Sequence, residues 1–228
     1  MSNVWEFVKV GRYEEACAAA DEEYAQKPSL LVLRNKRFAL MSLKRHQEAI
    51  SLSRQLIEND LYSSQSDWLF LGAALWLTGR CEDAVGAWRE GAKAKYTDAA
   101  GGVLSPLALL YASTRLARED LQLESLAGLR QVAAVNSGRN WPGPIAEFAA
   151  GDLTDQELLT VVSQVPILRQ KQMCQAKFYI GVMCCRNGSN SHFRKAMTEA
   201  SSQGSVARSL HEFYLAEAEA AGSIESLQ

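Results

Sequence analysis

Three histidines and five cysteines are the residues of this chain whose types could do chemistry. His46, His192 and His211 could serve as bases or metal ligands. Cys17, Cys81, Cys174, Cys184 and Cys185 could serve as nucleophiles or soft-metal ligands. Spacing argues against each role. The histidines are far apart in sequence, no His-Glu-x-x-His pair occurs, and no cysteine carries a nucleophile signature. Cys184 and Cys185 are adjacent, so on a helix their side chains diverge and do not chelate. Gly101-Gly102 lacks the strand and basic residue of a phosphate-binding loop. The expectation is a chain that is not an enzyme, with no catalytic residue, metal or cofactor. The five tryptophans are expected to anchor a core or a groove, since no base-stacking module accompanies them.

The elements that would carry such anchors are helices. Apolar residues make up 47% of the 228 positions and charged residues 22%, which fits a folded domain rather than a disordered one. Only 5 prolines occur, as helices require. The net charge of -2 gives no field that would favour duplex nucleic acid. Glu14, Glu15, Asp21, Glu22 and Glu23 form an acidic run, and Arg34, Lys36, Arg37, Lys44 and Arg45 a basic one. Both are expected to be solvated helix faces. The start, Met1-Ser2-Asn3-Val4-Trp5-Glu6, has no signal-peptide character, and no apolar run reaches the roughly 20 residues of a membrane span. With scattered cysteines, this predicts reduced thiols and a cytoplasmic protein.

Three alanines set a register: Ala16, Ala49 and Ala84 are separated by 49 − 16 = 33 and 84 − 49 = 35 positions. Each follows a turn, in Gly11-Arg12-Tyr13-Glu14-Glu15-Ala16, Lys44-Arg45-His46-Gln47-Glu48-Ala49 and Gly79-Arg80-Cys81-Glu82-Asp83-Ala84. Glycine accepts the left-handed turn, and alanine lets two helices approach closely. Trp68, Leu71 and Leu75 form an apolar stripe at helical steps, matched by Ala84, Ala87, Trp88 and Gly91 on the next helix. Trp68 and Trp88 are expected to brace the stack.

Trp68-x-x-Leu71-Gly72-x-x-Leu75 with Gly79, Ala84 and Trp88 resembles the tetratricopeptide (TPR) family, whose period is about 34 residues. The first unit has a shortened first helix, and the second has Lys44 where glycine is usual and Lys36-Arg37 where Leu-Gly is usual. The resemblance implies an all-α, TPR-like helical-hairpin repeat solenoid. Residues 1–100 are read as three TPR-like hairpins and 101–228 as degenerate repeats ending in a capping helix, with Glu217 and Glu219 as its polar face.

The second half has its own pattern. A loop over residues 136–140 precedes Trp141-Pro142-Gly143-Pro144, then Gly151-Asp152-Leu153-Thr154, where Thr154 and Glu157 read as a capping box. Phe178-Tyr179-Ile180-Gly181 follows, and a final helix contains Glu212-Phe213-Tyr214-Leu215. This last third resembles bacterial outer-membrane TPR lipoproteins that act as adaptors for proteases and cell-wall hydrolases. The chain lacks their signal peptide and lipid-attachment cysteine, so the resemblance implies a fold and an adaptor role, not a compartment or client.

In the TPR family the first helices of the hairpins line a concave groove. On matching positions, the resemblance implies partner-binding residues Arg34, Phe38 and Met41; Leu69, Ala73 and Trp76; and Phe178, Val182, Cys185 and Arg186. Such aromatic, methionine and arginine residues suit an interface centre. The function expected is non-catalytic protein–protein interaction, with a sharper reading as a bacterial immunity protein that neutralises a cognate secreted toxin. The alternatives are an adaptor or chaperone for a secretion or protease system and a peptide-binding regulatory module. The partner is a toxin domain or client protein, with no nucleic acid or membrane. Self-association through an uncovered terminal repeat is a further expectation.

Overall fold

The structure, a computed structural model, describes residues 3–61, 64–134 and 140–224, with 133 and 134 as helix backbone only. Most of the loop read at 136–140 therefore lies outside the described residues. The helices run in pairs along the chain. They are α1 (Asn3–Lys9) and α2 (Tyr13–Gln26), α3 (Leu30–Ser42) and α4 (His46–Asn59), α5 (Gln65–Trp76) and α6 (Cys81–Ala92), then α7 (Leu104–Leu116) and α8 (Glu119–Ala134). Next come α9 (Gly143–Ala150) and α10 (Asp155–Thr160), α11 (Pro166–Arg186) and α12 (Asn190–Ser201), a 3-10 turn at Ser205–Ser209, and α13 (His211–Ala220). Each helix packs on its sequence neighbour, which makes an all-α helical-repeat solenoid.

A single backbone device closes the first helix of every pair. Gly11, Lys44, Gly79, Ala117, Gly151, Gly188 and Gly222 all have positive φ, from 52° to 90°. After each, an N–H returns to the carbonyl five residues back, from Arg12 to Phe7, Arg45 to Leu40, Arg80 to Leu75, Arg118 to Ser113, Asp152 to Glu147, Ser189 to Cys184 and Ser223 to Ala218, at 2.8–3.0 Å. This is the left-handed closure that satisfies orphan carbonyls at a helix end. The intervals are 44 − 11 = 33, 79 − 44 = 35, 117 − 79 = 38, 151 − 117 = 34, 188 − 151 = 37 and 222 − 188 = 34. The repeat thus continues through the second half, and α13 ends on the same closure as the first helices before it. Lys44 takes the glycine conformation at φ 58° despite its side chain.

The small residues act as the spacing implies. Ala16, Ala49 and Ala84 are fully buried. Gly72 lies under the Trp88 indole, whose Nε1 donates to the Leu69 carbonyl at 3.3 Å, while Gly91 abuts Trp68. Outside, the arginine after the left-handed residue pairs with an acid at the next helix start: Arg12 with Glu15, Arg45 with Glu48, Arg80 with Asp83 and Arg118 with Asp120. Arg45 and Arg118 also reach back one unit, to Glu14 and Glu82. These rungs are exposed, so solvent screening keeps each of them weak.

The first helices face inward, and α13 lies against that inner face. It packs on α5, α11 and α12, while the 3-10 turn before it touches α1, α3 and α11. Tyr214 of α13 places its hydroxyl 3.0 Å from the Phe38 carbonyl and 2.9 Å from that of Arg208. Its ring lies 6.1 Å from Phe70. The last helix is therefore a core element: of the two acids expected on a polar end cap, Glu219 is 4% exposed and Glu217 half-buried.

Candidate binding surface

The inner face holds most of the residues expected to meet a partner. Met41, Leu69, Ala73, Trp76, Phe178 and Val182 are each 2% exposed or less. Trp76 packs 5.6 Å from Trp88 and 5.1 Å from Tyr111, and Tyr111 packs 5.2 Å from Phe178, so one aromatic run joins the third and sixth pairs. Phe38 is half-buried between Trp5 at 5.9 Å and Phe70 at 5.2 Å. Arg34 is engaged with carboxylates, Cys185 is half-buried, and only Arg186 stands exposed. The groove expected to be open is filled by α13, which supplies the apolar contacts a ligand would otherwise make.

Charge has gone inside as well. Arg37, read as part of a solvated basic face, is fully buried; its Nη1 donates to Asp67 Oδ1 at 2.7 Å and its guanidinium lies 4.2 Å from the Phe70 ring. Arg34 adds a fork on Asp67 and reaches Asp60 at 2.8 Å. Burial pushes Asp67 up, but the hydrogen bond from Arg34 and the charge of Arg37 outweigh it and hold the carboxyl below its ordinary value.

A second polar chain runs from α13 to the surface. Burial pushes Glu212 up, but the charge of His211 and hydrogen bonds from His211 and Gln175 hold it below the usual range. His211 Nδ1 is 3.0 Å from Glu212 Oε2, and Gln175 Nε2 donates to Glu212 Oε1 at 2.8 Å. Gln175 Oε1 in turn accepts from the Trp141 indole N–H at 2.7 Å. Capping of α10 by Thr154 and Glu157 is present as predicted. Of the other candidate chemical residues, His46 is half-buried and pushed down by burial, and exposed His192 contacts Ser189 at 2.7 Å. All five cysteines are free thiols. Among the described residues, no three His, Cys, Asp or Glu side chains cluster to hold a metal ion, and no helix is long and apolar enough to cross a membrane.

Open relief lies around α9. A cleft of about 610 Å³ runs between α8, α9 and the end of α11. Val103, Leu126, Leu129, Ala146, Ala149 and Met183 give it an apolar floor. Arg130, Arg186, Glu147 and Asp152 stand on its margins, and none has a side-chain ion pair or hydrogen bond among the described residues. A groove of about 370 Å³ follows on the far flank of α9, between Trp141, Pro144, Glu147 and Val161. Beyond it, Val161, Val165, Ile167 and Leu168 are each about half exposed, at 48–61%. Arg186 was anticipated from sequence; Arg130, Glu147 and Asp152 were not. They come from α8, α9 and the following turn, and no spacing within one helix unites them.

No protein-family model matches the chain, and no curated protein sequence matches it. Its class rests on the architecture: an all-α helical-repeat solenoid whose inner groove is occupied by its own α13 and whose open clefts flank α9.

Proposed function

We propose that this chain is a non-catalytic protein-binding scaffold that takes its partner on the clefts around α9. The observation that carries this reading is the cleft of about 610 Å³, with its apolar floor and four charges at the margin that are unpaired among the described residues. An apolar centre inside a polar rim is the anatomy of a protein interface. The filled inner groove disfavours a peptide-binding module of the TPR kind, because an extended segment would have to expel α13 and its buried partners. A folded partner domain seated on these clefts suits an immunity protein that blocks a cognate toxin, or an adaptor that holds a client. The resemblance of the first hairpins to TPR units and of the last third to TPR adaptors supports the same class.

The test is capture of the partner by the purified chain, identified by mass spectrometry and located by cross-linking. Ala150 is an exposed wall of the cleft. Ala150→Arg should abolish capture while the thermal melt stays unchanged. Capture that survives Ala150→Arg and Arg186→Glu, with cross-links elsewhere, overturns the assignment. Rescue of cells from a toxin encoded beside the chain separates the immunity reading from the adaptor reading.

A further inference from the structure

The groove beyond α9 has a chemistry of its own. Among the described residues that line it Glu147 is the only ionisable one, and its carboxylate has no partner among the described residues. Trp141 forms a second wall, and Pro144 and Val161 supply apolar surface beside it. The Trp141 ring is held in place from behind. Its N–H is committed to Gln175 at 2.7 Å, and Gln175 is itself fixed by the buried Glu212 at 2.8 Å. Gln175 is 4% exposed and Glu212 not at all, so this support is part of the core. An indole face attracts a cation, a nearby carboxylate adds Coulombic attraction, and a ring fixed in advance loses little freedom on binding.

From this charge complementarity we propose that the groove takes a basic side chain, Arg or Lys, from the partner protein, with its head between Glu147 and the Trp141 ring. The aliphatic stem and a neighbouring apolar residue then lie on Pro144, Val161 and the exposed Val165–Leu168 corner. The inference rests on the binding-scaffold reading above and names the partner chemistry at one end of that surface.

The indole N–H resonance of Trp141, assigned by its loss in Trp141→Phe, gives a direct readout in the full chain. The probe is the blocked dipeptide Ac-Leu-Arg-NH2, with Ac-Leu-Gln-NH2 as its uncharged counterpart. The arginine probe should shift the Trp141 signal, and the glutamine probe should bind about tenfold more weakly or less. Glu147→Gln should reduce the arginine probe to that weaker level while the rest of the spectrum holds. Equal response to both probes, no response of Trp141, or an unchanged response in Glu147→Gln overturns the proposal. So does a shift with tetramethylammonium alone, a shift on concentrating the protein without probe, or a shift in Arg139→Ala without probe. Those three results would place a quaternary ammonium compound, a second copy or the chain's own arginine in the groove. Because Ala150→Arg capture is read separately, loss of the dipeptide response with capture intact sinks this inference and leaves the scaffold reading standing.

Discussion

The Tyr111 hydroxyl donates to the Glu219 carboxylate at 2.7 Å, joining α7 to α13 across 108 positions of the chain. Arg115 Nε lies 2.8 Å from the same carboxylate oxygen. Burial pushes Glu219 up, and Tyr111 and Arg115 only partly offset this. A carboxylate at this depth is tolerable because both neighbours meet it. Tyr111→Phe removes one of them and should lower stability by about 1–2 kcal/mol in urea denaturation. Glu219→Ala, which strands a buried hydroxyl and a largely buried guanidinium, should cost about 3 kcal/mol.

The pair of Arg37 and Asp67 predicts a non-additive pattern. Truncating Asp67 strands the buried Arg37 guanidinium, at about 3–5 kcal/mol, whereas truncating Arg37 leaves Asp67 still held by the Arg34 fork and should cost less. The double variant Arg37→Met with Asp67→Leu should recover much of the Asp67 loss, because the stranded Arg37 charge goes with it while Arg34 keeps Asp60. A double-mutant cycle by chemical denaturation measures the difference; additive losses would contradict it.

The same carboxyl sets an acid limb. Asp67 is held below its ordinary value of about 3.9. A carboxyl depressed in the folded state contributes stability that is present above its unfolded value and lost as pH falls through its folded value. Glu212, also depressed, acts in the same direction. Urea midpoints should therefore fall steeply once the pH drops below about 4, and Asp67→Asn, though less stable at neutral pH, should show a flatter acid limb.

Two helical glycines should respond to alanine with opposite sign. A Cβ at Gly72 would run into the Trp88 indole, whereas one at Gly86 meets nothing within 4 Å. Gly72→Ala should cost about 1–3 kcal/mol through overpacking. Gly86→Ala should add up to about 1 kcal/mol through helix propensity. Thermal melts of the two variants decide it.

At the left-handed turns the logic reverses. Lys44 and Ala117 hold φ of 58° and 52° with a Cβ present. Lys44→Gly and Ala117→Gly should each raise stability by about 1 kcal/mol by relieving that conformation. A lower melting temperature in both would refute the strain.

The hairpins of the first half were legible because Gly11 and Gly79 advertise their turns and Ala16, Ala49 and Ala84 mark close helix contacts. Past residue 100 the turn falls on Ala117 and then on Gly151 after the short α9, so the same period was hidden by a residue type that does not announce it. Burial of Arg37 was not readable from its neighbours, because its counter-charge, Asp67, sits 30 positions away on another unit. The same holds for α13. Glu219 reads as part of a polar face until Tyr111 and Arg115 are seen around it. Local spacing reports a helix and its likeliest wet side, but the partners that neutralise a buried charge come from distant elements. The α9 clefts share this limit, since Arg130, Glu147 and Arg186 belong to three helices.

An open stack of hairpins can fray from an end, one unit at a time, since each unit leans only on the next. Tyr214 removes that freedom here by tying α13 to Phe38, 176 positions away. Loosening the second hairpin uncovers the last helix, and loosening the last helix uncovers the second hairpin. The repeats are assembled like a solenoid, but through this contact they support one another as the members of a closed ring do.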